Sequence, residues 1–241
     1  MTQPRKPAKQ IALPLDNRPR FGREDYMVGE ANRLAFDWCE RWPGWTGPVT
    51  AIVGPSGSGK THLLTIWQQR TGAETLKFSD LNDGLVARLD DKARCFTLDD
   101  AEAVAGDPVR EEALFHLFNH LKGIGGSLLL TAGREPSRWG LDLPDLASRL
   151  KSSTVVSVMP PDDPMMAALM VKHFADRQLD VEQAVIDYLL TRMDRSYAAI
   201  RDLVLALDRV SLAERRRITI PLARDILASH HGGEASDKRL D

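Results

Sequence analysis

The sequence has no apolar run approaching the ~18 residues that a membrane span needs. Runs such as Ser127-Leu128-Leu129-Leu130-Thr131 are only strand-sized, so no membrane association is expected. The basic start, Met1 to Lys9, leads into no continuous hydrophobic segment, and no signal peptide is expected. Cysteine is scarce. Cys39 and Cys95 stand far apart in apolar runs, with neither a CxxC pair nor a disulfide framework, which points to a reducing cytoplasm. An excess of one charge is missing too: 32 Lys and Arg face 34 Asp and Glu, a formal net charge of -2. That balance excludes a polybasic nucleic-acid coat and an acidic disordered chain, though not a local basic patch. What is present is ample for a core. A chain of 241 residues, 43% hydrophobic, can bury roughly 70% of its unfolded surface and suits one domain or two small ones.

Residues 1–20 carry Arg5, Lys6, Lys9, Arg18 and Arg20 against Asp16 alone, with four prolines. This composition predicts an extended arm. Residues 21–161 alternate short apolar runs with helical patterns. Five runs read as buried parallel strands: Val49–Val53, Glu74–Phe78, Cys95–Asp99, Ser127–Thr131 and Thr154–Val158. The spacers between them can each hold a crossover helix. A stiff Pro160-Pro161-Asp162-Asp163-Pro164 connector follows, and residues 162–229 then show helical periodicity, clearest at Ile200, Leu203, Val204, Leu207 and Val210. An α/β domain with a five-stranded parallel sheet, a small helical lid and a disordered tail over 230–241 is the expected organisation.

The sharpest motif is Gly54-Pro55-Ser56-Gly57-Ser58-Gly59-Lys60-Thr61, a complete G-x-x-x-x-G-K-[ST] phosphate loop after a strand and before a helix beginning near His62. Glycines let the backbone turn so that its N–H groups converge on phosphate oxygens. Lys60 would reach the β- and γ-phosphates, and the Thr61 hydroxyl would hold Mg²⁺. A second acidic feature fits the first. The run Cys95-Phe96-Thr97-Leu98 ends in Asp99-Asp100, where Asp99 would orient Mg²⁺ and Asp100 an attacking water. Trp38, Trp42 and Trp45, like Met165, Met166 and Met170, read as core rather than as ligand-binding residues.

Phosphate loop, acidic strand end and helical lid together resemble the AAA+ ATPases, and within them the DnaA group and its Hda-type relatives. The resemblance spans residues 10–229. It implies ATP or ADP as ligand, with Tyr26 and Val28 beside adenine, His62 behind the loop, and Arg201 as a lid arginine reaching back to the chain's own phosphates. Leu143-Pro144-Asp145-Leu146-Ala147-Ser148-Arg149-Leu150 is similar to the family's arginine-finger block, which makes Arg149 the catalytic candidate beside Asp100. Arg149, placed after a helix at the sheet edge, would point to a neighbour's γ-phosphate. Gln10-Ile11-Ala12-Leu13-Pro14-Leu15 resembles a sliding-clamp-binding peptide, with Gln10, Ile11, Leu13, Pro14 and Leu15 as its contacts. One position departs from the pattern: Gly133 stands where the family carries a polar residue that orients water, so hydrolysis of the chain's own nucleotide is expected to be weak.

The resemblance therefore implies a negative regulator of replication initiation that binds the sliding clamp and stimulates hydrolysis of ATP on the initiator DnaA. The lid holds 10 Lys/Arg and 11 Asp/Glu over residues 162–229, so sequence-specific DNA binding is not expected. Self-association stays open. So do two other readings: a self-sufficient AAA+ ATPase or helicase loader, and a clamp-binding module with no action on DnaA.

Overall fold

The computed structural model describes residues 22–89 and 94–237. In chain order the elements are α1 (Arg33–Glu40), β1 (Val49–Val53), α2 (Lys60–Thr71), β2 (Glu74–Thr75), α3 (Leu85–Arg88), β3 (Cys95–Leu98), α4 (Pro108–Ile124), β4 (Ser127–Ala132), α5 (Pro144–Lys151), β5 (Thr154–Ser157), α6 (Asp163–Ala175), α7 (Gln183–Leu190), α8 (Tyr197–Glu214) and α9 (Ile220–Asp237). The strands form one parallel sheet in the order β2-β3-β4-β1-β5. The expected α/β architecture with five parallel strands and a helical lid is the one observed.

Burial explains why the central strands read as unbroken apolar runs. Every residue of β1 and β4 is buried, and the period of two divides them between two cores. Val49, Ala51, Leu128 and Leu130 face the cluster that includes Leu114, Leu117 and Leu121 of α4. Ile52 and Leu129 face the opposite cluster, built on Leu63, Leu64 and Trp67 of α2. Trp45 stacks on Trp67 and Trp42 meets it edge-on, so these tryptophans pack as expected. A third cluster, with Met165, Met166, Met170, Ile200, Leu203, Val204 and Leu207, forms the lid.

Local chemistry sets the boundaries. Asp107 caps α4 by accepting the N–H groups of Val109 and Arg110, with Pro108 in the first turn. Asp162 and Ser196 cap α6 and α8 in the same way. The second strand is shorter than expected. Only Glu74 and Thr75 pair with β3, because the chain turns away after the Leu76 N–H reaches the Thr97 carbonyl. Beyond residue 229, where a disordered tail was expected, α9 continues to Asp237. Among the described residues no helix is long and apolar enough to cross a membrane. The arm, with Gln10, Ile11, Leu13, Pro14 and Leu15, lies outside them.

Candidate functional site

The phosphate loop emerges from the C-terminal end of β1, where the Gly54 N–H donates to the Ala132 carbonyl at the end of β4 (3.1 Å). Gly57 and Gly59 adopt φ +70° and +92°, a left-handed backbone that strains any residue with a Cβ. The loop therefore delivers the N-terminus of α2, with its free N–H groups and positive dipole end, to one point. Lys60, 8% exposed, lies across the loop and donates to the carbonyls of Gly54 (2.8 Å) and Pro55 (2.9 Å). Pro55 and Ser56 are exposed. Ser58 is buried, and its hydroxyl has no hydrogen-bond partner among the described residues. A buried polar atom in that condition fits a site built for a ligand oxygen.

The acidic strand end meets the loop directly. Thr61 Oγ1 donates to Asp99 Oδ2 (2.9 Å), Thr131 Oγ1 donates to the other Asp99 oxygen, and the Asp100 N–H donates back to Thr131 Oγ1 (2.9 Å). Thr131 is thus one unforeseen residue of the site. Its only sequence signal is a hydroxyl inside a fully buried apolar strand. The Thr61 and Asp99 oxygens are the hard donors that Mg²⁺ prefers, one hydroxyl and one carboxylate beside phosphates and water. Among the described residues no group of three or more His, Cys, Asp or Glu forms a cage of its own. Asp100 follows, exposed and left-handed at φ 51°. At the next strand end the Gly133 N–H donates to Glu102 Oε1 (3.1 Å), and Arg134 pairs with the other oxygen (3.3 Å). A Cβ at Gly133 would lie 2.8 Å from Glu102 Oε1, so a carboxylate from the turn after β3 fills the space that the missing side chain leaves.

Tyr26 is buried, stacked on Phe36 and edge-on to His62 at 5.0 Å. Val28 packs against the same cluster. Burial holds the His62 imidazole below its usual pKa, opposed by its contact with the Gly22 carbonyl. Asn32, fully buried, ties this segment together: it accepts the Gly29 N–H and donates to the Met27 carbonyl and the Tyr197 hydroxyl (3.1 Å). Tyr197 opens α8, and its N–H donates to the Gly57 carbonyl (2.8 Å). The first turn of the lid helix therefore rests on the phosphate loop. Arg201 lies one turn further along the face that carries Tyr197. Its Nε pairs with Asp202 (2.9 Å), and among the described residues it makes no hydrogen bond or ion pair with the loop.

Arg149 belongs to the other end of the sheet. It sits in the last turn of α5 rather than after it, with its guanidinium 5.3 Å from the Phe115 ring centre and 5.4 Å from that of Phe118. Beside it lies a cleft of about 260 Å³, reached also by Val49 at the start of β1 and Thr154 at the start of β5. The phosphate loop leaves the far end of β1, about 13 Å away at ~3.3 Å per residue. Arg149 makes no ion pair with any described residue, so its guanidinium is not spent on a surface salt bridge among them. Its helix is anchored by Glu111, fully buried on α4. Glu111 accepts the N–H groups of Gly106 (2.9 Å), Asp142 (3.2 Å) and Leu143 (2.7 Å), the last being the residue that precedes α5.

Comparisons with known proteins agree with this geometry. Residues 162–227 match the family model described as "Hda, lid domain". An uncharacterized protein of Haemophilus influenzae is 30% identical over 228 residues, spanning 91% of this chain and 98% of that one. Domain III of the Thermotoga maritima replication initiation protein DnaA superposes with a TM-score of 0.75 at 22% identity, covering 88% of this chain and 97% of that one. AMPPCP-bound DnaA from Aquifex aeolicus gives 0.66 at 23%, covering 81% and 67%. The Thermotoga maritima RuvB branch-migration motor gives 0.64 at 14%, covering 84% and 70%.

Proposed function

The chain belongs to the DnaA-related AAA+ proteins of the Hda type, and we propose that it is a regulator that acts on ATP bound by a separate DnaA molecule. The observation that carries this reading is the position of Arg149. An arginine without an acidic partner among the described residues, backed by two aromatic rings, stands a strand's length from the chain's own phosphate loop. It cannot serve the nucleotide held by Lys60 and is free to serve one presented by a neighbour. An arginine finger supplied in trans stabilises the charge that develops during phosphoryl transfer and is worth ~10³–10⁵ in rate.

The chain's own ligand is an adenine nucleotide, ATP or ADP. Lys60 and the loop N–H groups hold its phosphates, the Ser58 hydroxyl gains a partner, and Tyr26 and Val28 flank the base. Thr61 and Asp99 would hold Mg²⁺, which when bound neutralises phosphate charge. Tyr197 couples occupancy of the loop to the lid, because its N–H grips the Gly57 carbonyl while its hydroxyl grips Asn32. Nucleotide binding then sets the stance of the molecule that presents Arg149. The peptide Gln10–Leu15 would tether the protein to the sliding clamp, raising its effective concentration near DNA.

The test is the lifetime of ATP on DnaA, with this protein and with the clamp either loaded on DNA or left out. Hydrolysis that accelerates only with loaded clamp is expected. Equal acceleration without clamp removes the tether from the account, and no acceleration in either arm overturns the function.

A further inference from the structure

The cleft beside Arg149 contains a second cation. Lys122, in the last turn of α4, lines the same space as Arg149, together with Thr46, Ser152, Ser153 and Thr154. Among the described residues no aspartate or glutamate lines it. Neither Lys122 nor Arg149 pairs with an acid among the described residues, whereas Arg110, Arg134, Lys172 and Arg201 each do.

A lysine in the last turn of a helix has an ordinary role, complementing the negative end of the helix dipole. The arrangement here goes further. Phe115, Phe118 and Lys122 are spaced i, i+3, i+7, so one stripe of α4 carries both the aromatic support of Arg149 and the ammonium beside it. Two like charges in one acid-free cleft repel each other unless an anion lies between them. The neighbouring hydroxyls do not supply further donors, because Ser152 and Ser153 both donate to the Arg149 carbonyl (2.8 and 3.0 Å). They fix the backbone that carries the guanidinium. The charged donors of the cleft are therefore those of Arg149 and Lys122, one a planar fork and the other a mobile point charge, with the hydroxyls of Thr46 and Thr154 beside them.

We propose that Lys122 is a second trans-acting cation, which grips the phosphate tail of the nucleotide presented to Arg149. The ligand class is a polyphosphate carried by another protein. This rests on the reading of Arg149 as acting in trans. The division of labour follows from the two side chains. Arg149, held against two rings of α4, is preorganised for charge that appears in the transition state. Lys122, exposed on a flexible stem, binds the phosphate tail equally before and during reaction, so its contribution lies in affinity.

The experiment titrates this protein against clamp-loaded DnaA–ATP, using wild type, Lys122→Ala, Lys122→Glu, Lys122→Arg and Arg149→Ala. Lys122→Ala should raise the half-saturating concentration about tenfold with little change in the saturating rate, and should flatten its dependence on salt. Lys122→Glu should raise it further, and Lys122→Arg should restore it. Arg149→Ala should instead lower the saturating rate. A lysine that only complements the helix dipole leaves half-saturation and salt dependence unmoved, and that result overturns the proposal. A separate arm uses inorganic tripolyphosphate and calorimetry, in a Lys60→Ala background that silences the phosphate loop. Where DnaA hydrolysis responds to neither protein, binding that is lost on adding Lys122→Glu supports the cleft, and no binding in that background, or binding that Lys122→Glu leaves unchanged, overturns it.

Discussion

Replacing Glu111 with alanine should destabilise the core and weaken action on DnaA through the same three bonds. The carboxylate is fully buried and accepts three backbone N–H groups, at 2.7, 2.9 and 3.2 Å. Hydrogen bonds to a charged group are worth ~1.5–3 kcal/mol each, and a buried donor left unmade costs a similar amount. Gly106 and Asp142 are exposed, so water recovers part of their loss, while Leu143 is half-buried and recovers less. The sum is about 3–4 kcal/mol, a large share of a typical ~5–15 kcal/mol stability. At ~2–4 °C per kcal/mol for a chain of this size, the melting temperature should fall by roughly 10 °C. Urea unfolding measures the same quantity as a lowered midpoint at unchanged slope. Because Asp142 and Leu143 lead into α5, a variant kept folded at low temperature should also stimulate DnaA less than wild type. A Glu111→Ala protein within about 1 kcal/mol of wild type would refute the claim that this carboxylate anchors the Arg149 helix.

Other perturbations probe other parts of the site. Gly57→Ala forces a Cβ into left-handed backbone, 2.7 Å from the Ser196 Cβ; at ~1–2 kcal/mol, nucleotide affinity should drop about tenfold in a fluorescent-nucleotide titration, and an unchanged Kd contradicts the contact between lid and loop. Phe115→Leu removes one ring from Arg149 and should slow stimulated hydrolysis roughly two- to fivefold, the equivalent of ~0.5–1 kcal/mol, with little change in melting temperature. His62 and His173 are both held below their usual pKa by burial. The unfolded chain therefore takes up their protons first as the solution is acidified. Their contribution is complete above the unfolded value near 6.5 and is lost as pH falls towards the folded values, so stability should decline below about pH 6.5, and His62→Gln should flatten that decline.

The parts of the site that were legible in the sequence are those whose geometry is local. Gly57, Gly59 and Lys60 lie within four residues of one another, and their backbone needs are written in residue type. The central strands were legible for a similar reason, since burial on both faces leaves an unbroken apolar run. Contacts made across the sheet were not. Thr131 matters because it meets Asp99 from the next strand, and Glu102 because it reaches Gly133 thirty-one residues away. No spacing rule links such pairs. The pairing of Arg201 with its neighbour Asp202 and the length of α9 are likewise settled by choices among side chains and helix propagation that composition leaves open. Arg149 was found by its motif, but its support from Phe115 and Phe118 emerges only once α4 and α5 are packed together.

The most direct test of the account places labelled ATP on DnaA alone, beside clamp loaded on DNA, and follows its hydrolysis with wild type or Arg149→Ala. Wild type should shorten the lifetime of the bound ATP by orders of magnitude, within the ~10³–10⁵ range of a finger supplied in trans. Arg149→Ala should leave it at the value for DnaA by itself while still co-migrating with the clamp. An Arg149→Ala protein that shortens the lifetime as wild type does would contradict the central claim.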